Sequence, residues 1–265
     1  MSMPLPDAIP AATVVLMRAG PGGAPEILMV ERAAAMKFAG GALVFPGGRV
    51  DPDDRVVAGA LADFGATHGG VHGSAHGADI DELAARVAAI RESLEETGVA
   101  PGLMLAADRM AELRRQLHAG EPFGALLRAF GGRIDLNGLV PFARWRPDFA
   151  PRVFDTRFYL ARLPEHAPDP VADAGESVRA FWASASSVLA MADAGEATII
   201  FPTRRNLERL ATYSSFAEAA GHAMAHPVRL ITPWTEKRAD GAYLCIPDDC
   251  GYPVTAERLD SVRRA

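Results

Sequence analysis

The chain has 265 residues, 49% of them apolar and 23% charged, which is enough for a sizeable core and excludes disorder throughout. A formal charge of −6 and a pI near 5.7 exclude a basic footprint for nucleic acid or anionic membrane, so an anionic substrate would need local cations or a metal. The start, Met1-Ser2-Met3-Pro4-Leu5-Pro6, lacks a basic stretch followed by an apolar one, and no later run is long enough to span a bilayer, so a cytoplasmic location is expected.

Residues 11–18 and 26–32 are short apolar runs separated by Gly20-Pro21-Gly22-Gly23, which predicts a strand, a hairpin loop and a strand. Residues 40–48 read as a short strand closed by a sharp turn at Phe45-Pro46-Gly47-Gly48. Residues 51–80, rich in Asp, Gly and His with little periodicity, are expected to form a long loop with a short helix near 55–62. From Asp79 to Glu96, Ile80, Leu83, Val87, Ile90 and Leu94 recur at three- and four-residue steps, which predicts a helix ended by Gly98 and Pro101. Two helices divided by Gly120-Glu121-Pro122 are expected over 106–130, and strands over 137–145, 152–162 and 178–182. A helix over 184–193, a helical pair over 203–224 after Phe201-Pro202-Thr203, and short strands and turns complete the chain. Alternating strands and helices indicate a mixed α/β architecture, expected as one domain with a loop insertion at about 51–80 and a mostly helical one at about 104–131.

The segment Arg91-Glu92-Ser93-Leu94-Glu95-Glu96-Thr97-Gly98-Val99 concentrates three carboxylates and an arginine. At roughly 100° of rotation per residue, with Glu92 at zero, Glu96 lies at about +40° and Glu95 at about −60°, so the three share a face. Val87, Ile90 and Leu94 fall roughly 160° to 220° away, on a core face. Clustered carboxylates repel one another unless a cation neutralises them, and hard oxygen ligands suit Mg²⁺ or Mn²⁺ rather than zinc. A solvated acidic face is the plainer alternative for any Glu-rich helix. Arg91 stands four residues before Glu95, within reach of a carboxylate it could orient.

Arg91 to Val99 resembles the second half of the Nudix box, whose pattern runs Gly, five residues, Glu, seven residues, then Arg-Glu-apolar-any-Glu-Glu-any-Gly-apolar. The first half begins at Phe45-Pro46-Gly47-Gly48, Asp54 sits where the family has Glu, and Ser93 departs from the first apolar slot. An uninterrupted box would put the arginine at position 62 rather than 91, so about 29 residues lie inside it. The split box, together with Phe154-Asp155-Thr156-Arg157-Phe158-Tyr159, Trp182 and Phe201-Pro202-Thr203, is similar to a Nudix subgroup that includes peroxisomal coenzyme A diphosphatases. The resemblance implies a Nudix fold, a mixed β-sheet sandwiched between helices, here with an insertion and added C-terminal helices. It also implies metal-assisted hydrolysis of a nucleoside diphosphate linked to another group, with Glu92 and Glu96 as metal ligands, Glu95 and the Gly48 carbonyl as further ligand positions, and Arg91 orienting a carboxylate.

Glu92 leads as the base that activates water, and Glu176 is a distal acid that would serve as ligand, base or plain surface carboxylate. Arg32 and Lys37, with the Phe45, Gly47 and Gly48 turn, are candidates for substrate contact, Arg bidentately and Lys as a point charge, against the simpler reading of solvated charges. The substrate expected is coenzyme A or an acyl derivative, cut to 3′,5′-ADP and a phosphopantetheine. ADP-ribose or an NADH-type dinucleotide is the alternative, and a non-catalytic nucleotide sensor the second; a homodimer follows only by analogy. His68, His72 and His76 read as incidental loop histidines, Ser184, Ser186 and Ser187 as cap residues, and Cys245 and Cys250 as reduced thiols rather than a disulfide.

Overall fold

The computed structural model describes residues 8–36, 39–68, 79–147, 152–164, 167–173 and 175–262. Its spine is β1, Ile9–Ala19, whose central residues are buried on both faces. Alternation sends Ala12, Val14 and Leu16 into one apolar cluster and Val15 and Met17 into another, so a layer packs on each side of the sheet. One edge of β1 runs parallel to β8, Phe154–Arg162, from Ile9↔Phe154 to Met17↔Arg162. The other edge is shared. Its end, Met17 to Ala19, pairs with β2, Pro25–Arg32, across the expected hairpin, and its beginning, Ala11 to Thr13, pairs with β4, Gly47–Arg49. β2 then leaves β1 for β3, Leu43–Val44, while β9, Ser177–Ser184, pairs along its other edge. This splaying lets the Gly47-Gly48 turn enter the sheet beside β1. β7, Leu139–Trp145, and β10, Leu230–Ile231, extend the eight-stranded sheet beyond β8.

The layer over Ala12, Val14 and Leu16 is built on a helix from Ile80 to Thr97. The Asp79 side chain caps it by accepting from the Asp81 N–H, and Gly98 ends it in the left-handed conformation at φ 73°. Ala84, Ala85, Ala88 and Ala89 are fully buried and let the helix approach the sheet closely, with Val87, Ile90 and Leu94 fully buried among them. Ile80, expected at the core face, is 40% exposed at the first turn. Ser93, the polar residue in an apolar slot, is buried and satisfied: its Oγ donates to Val99 O at 2.6 Å while Ser93 O accepts from Thr97 Oγ1 at 2.7 Å.

The long loop expected before this helix is largely α1, Pro52–His68, and the helix just described is α2. Proline at the first helical position and Asp53 and Asp54 in the first turn suit a helix start, and the Asp54 side chain accepts from the Asp51 N–H at 2.8 Å while Asp54 N donates back to Asp51 O. Val57 and Ala58 are its buried residues in the α2-side cluster, too few to show a helical period. His68 closes the helix, while His72 and His76 lie outside the described residues.

After β5, Leu103–Met104, the expected helix pair is α3, Ala107–His118, and α4, Phe123–Phe130, followed by β6, Arg133–Ile134, which pairs with β5. The opposite face of the sheet is covered by α5, Ala185–Asp193, capped by Ser184, and by α6, Phe201–Leu210, and α7, Phe216–Ala225. A three-stranded sheet of β11, Trp234–Arg238, β12, Gly241–Cys245, and β13, Ala256–Arg258, leads to α8, Leu259–Val262. This C-terminal part is fastened to the core where Trp145 Nε1 donates to Tyr252 Oη at 3.0 Å and Tyr252 Oη donates to Asn206 Oδ1 at 2.8 Å. Cys245 and Cys250 are buried free thiols. Among the described residues no helix is long and apolar enough to cross a membrane.

Candidate active site

The acidic face of α2 lies over the β4 turn, and two glycines allow the contact. A β-carbon at Gly48 would stand 2.4 Å from Glu92 Cδ and 2.5 Å from each of its carboxylate oxygens. At Gly47 it would stand 2.4 Å from Ala12 O, and the Gly47 N–H donates to Glu96 Oε2 at 2.9 Å. The turn is therefore backbone pressed against two carboxylates.

Arg91, 5% exposed, spends its whole donor fork on protein. Nε donates to Asp54 Oδ1 at 2.9 Å and Nη2 to Asp54 Oδ2 at 2.8 Å, a bidentate pair with a fully buried carboxylate. Nη2 also donates to Arg49 O at 2.9 Å, and Nη1 donates to Glu92 Oε1 at 3.0 Å and Glu95 Oε2 at 3.1 Å. Arg91 thus holds carboxylates and has no donor left for a substrate. Its partner Asp54, in the box position where the family has Glu, comes from the first turn of α1.

Arg32 Nη1 lies 3.6 Å from Glu96 Oε1, so this candidate for substrate contact sits beside a candidate metal ligand. Glu176 is exposed in the turn before β9; its carbonyl accepts from the Ala33 N–H at 2.8 Å, and its charge acts on Glu96. Phe45 faces away, 3% exposed in the α5–α7 side core with its ring edge-on to Phe158, so it anchors the turn from behind. Lys37 lies outside the described residues. Arg91, Glu92, Glu95, Glu96, Gly47, Gly48 and Arg32 are brought together, with Glu176 at the rim.

Burial, with the Glu95 charge adding to it, pushes the Glu92 carboxyl up to about 7 against the pull of Arg91. Burial and then the neighbouring Glu92 push Glu96 up to about 8, and burial raises Glu95 as well. The site is therefore short of positive charge.

Residues outside the acidic segment align α2. Near its start, Arg157 of β8 donates to Asp81 O at 2.9 Å and pairs with Glu82 at 3.3 Å, while Asp155 holds Arg144 at 2.6 and 2.7 Å. Arg157 of the Phe154-Asp155-Thr156-Arg157 motif thus braces the helix, and Asp155 ties β8 to β7. Arg86 donates to the carbonyls of Leu136 and Leu139 midway. Nothing in the local sequence marks these long-range contacts.

No protein-family model matches the chain. It is similar to acyl-coenzyme A diphosphatase NUDT19 of Gallus gallus, 26% identical over 302 residues that cover 92% of this chain and 79% of that protein. Among solved structures, the NUDIX hydrolase from Alicyclobacillus acidocaldarius matches with a TM-score of 0.67 and 29% identity, over 81% of this chain and 96% of that one. Its sequence and fold resemble those of the Nudix hydrolases. Its mixed sheet between helical layers is the fold of that superfamily, and its box is split by α1 and the residues after it.

The donor set of the acidic cluster fits a hard divalent cation. Glu92 Oε2 and Glu95 Oε1 have no hydrogen-bond donor among the described residues, and the raised proton affinities mark a site that favours positive charge. No three acidic, His or Cys side chains among the described residues converge as a ready coordination sphere; Arg91 and the Gly47 N–H hold carboxylate oxygens of Glu92, Glu95 and Glu96.

Gly48→Ala should displace only the flexible end of Glu92, so thermal unfolding changes little while turnover falls about tenfold or more; wild-type turnover would refute the close packing. For the metal-free protein, Glu92 and Glu96 carry folded values of about 7 and 8 against ordinary values of 4.5. Their contribution to stability is complete below pH 4.5 and is lost as pH rises through 7 to 8. The unfolding midpoint in chelator should therefore drop over that range, and drop less in the Glu92→Gln/Glu96→Gln variant. Parallel curves for the two proteins would contradict this.

Proposed function

We propose that this protein is a Nudix hydrolase that cleaves the diphosphate of coenzyme A or an acyl-coenzyme A, giving 3′,5′-ADP and a phosphopantetheine, with Mg²⁺ or Mn²⁺. The observation that carries the reading is the placement of Glu92 and Glu96 against the Gly47-Gly48 turn, with Glu95 tied to Glu92 through Arg91, in a chain similar, over 92% of its length, to an acyl-coenzyme A diphosphatase.

Glu92, Glu95, Glu96 and the Gly48 carbonyl would hold the cation. When bound, it neutralises charge on the diphosphate and on the group developing charge in displacement. Arg91 keeps Glu92 and Glu95 in place, and Arg32, beside Glu96, is the described cation available to a phosphate. A water oxygen bonds to one phosphorus as the bridging P–O bond breaks, the departing phosphate keeps the electron pair, and a carboxylate takes the water proton. Glu92 is that base by position, with Glu176 at the rim as the alternative.

The purified protein incubated with coenzyme A, ADP-ribose and NADH in Mg²⁺ or Mn²⁺ should yield 3′,5′-ADP from coenzyme A at the highest kcat/KM. Activity confined to ADP-ribose, or tight binding without turnover, would refute the substrate assignment. Glu96→Gln should abolish hydrolysis with the fold intact, and undiminished turnover would sink the metal assignment.

A further inference from the structure

A helix end leaves carbonyls without intrahelical partners, and at α2 those carbonyls belong to the acidic segment itself. Gly98 N closes back to Leu94 O at 2.9 Å, which leaves Glu95, Glu96 and Thr97. Each finds a donor from elsewhere in the chain. Glu96 O accepts from Asp173 N at 3.0 Å and Thr97 O from Val171 N at 2.8 Å, both in the loop that leads to Glu176. Glu95 O accepts from Arg114 Nε at 3.1 Å and Nη2 at 2.8 Å, and His118 Nε2 stands 3.0 Å away. Arg114 Nη2 also donates to Val171 O at 2.7 Å, closing a ring of α2, the loop and α3.

Charge strengthens the case. The C-terminal end of a helix carries partial negative charge, and α2 has no basic residue in its last turn, where Glu95 and Glu96 sit. Arg114 of α3 provides the positive group there. Gly98 makes room, since a β-carbon at that position would stand 3.1 Å from Arg114 Nη1.

We propose that Arg114 is a positioning residue for the hydrolysis, locking the turn that carries Glu95 and Glu96 to the loop that leads to Glu176 at the rim of the site. The inference rests on the reading of the acidic cluster as the reaction centre, and under it the α3 insertion supplies the end-cap that the catalytic helix lacks. The loop carbonyl and the helix carbonyl are both met by one planar fork, which a lysine with its point charge reproduces only in part.

The test compares wild type, Arg114→Ala, Arg114→Lys and Glu96→Gln for kcat, KM and amide hydrogen exchange. Arg114→Ala should lose about tenfold or more in kcat with KM nearly unchanged. Millimolar guanidinium ion should restore part of that loss, Arg114→Lys should fall between, and exchange should quicken at residues 94–99 and 171–173. A wild-type kcat in Arg114→Ala overturns the proposal, and so does a loss that neither guanidinium nor lysine relieves, which would mark a general loss of structure. Should Arg114→Ala fail to fold, Arg114→Lys decides: reduced kcat with faster exchange at those two segments supports the proposal, and wild-type values of both overturn it. A wild type without diphosphate turnover, or an active Glu96→Gln, removes the reading of the site instead, and the exchange comparison still decides whether Arg114 locks the turn.

Discussion

The buried pair of Arg91 and Asp54 is the contact on which the site depends. It joins the first turn of α1 to α2, and the same guanidinium reaches the β4 carbonyl of Arg49 and two of the three glutamates. Burial works against the Arg91 charge, but the bonds to Asp54 and the nearby Glu92 more than offset it, and the group is held more firmly protonated than usual. Within the sheltered ion-paired cluster, the four carboxylates of Asp54, Glu92, Glu95 and Glu96 face the two guanidiniums of Arg91 and Arg32. With Asp51 also 3.7 Å from Arg91, carboxylates outnumber guanidiniums in the cluster, which favours a bound cation. The raised carboxyls of Glu92 and Glu96 express the same deficit in protons.

That pair can act only because the sheet presents β4 at the right height. β1 gives its first residues to β4 and its last to β2, and the divergence of β2 admits a turn made of backbone alone beneath Glu92 and Glu96. Phe45, whose ring lies in the opposite core, keeps that turn from lifting. Four fully buried alanines on α2 leave room for the helix to pack closely against its neighbours. Core packing on both faces and the reach of the carboxylates are one constraint.

Local signals made much of this legible. The α2 helix announces itself through apolar steps, an Asp cap and a glycine stop, and its three carboxylates share a face by rotation alone. The glycine turn was legible too, because its function is backbone geometry. Asp51-Pro52-Asp53-Asp54 also carried a helix start for α1, but the alanines and glycines that follow gave it no apolar period, so composition pointed to a loop. Contacts distant in sequence left no trace: Arg114 meets Glu95 across 19 positions and Arg157 meets Asp81 across 76. An isolated arginine in a helix or strand looks the same whether it faces water or closes a site.

The split in the box is tolerated for a reason that magnitudes make plain. In the uninterrupted pattern the acid and the arginine are eight positions apart, and here Asp54 and Arg91 are 37 apart. Loop closure grows only with the logarithm of length, so this lengthening costs about 1.4 kcal/mol in a flexible chain. Leaving one member of a buried ion pair without its partner costs about 3–5 kcal/mol. The pair therefore outweighs the insertion, provided that both ends are rigid. They are: Asp54 sits in the first turn of α1, tied to Asp51, and Arg91 sits in α2, braced at its two ends from β8 and α3. What a family pattern records as adjacency in sequence is here kept as adjacency in space.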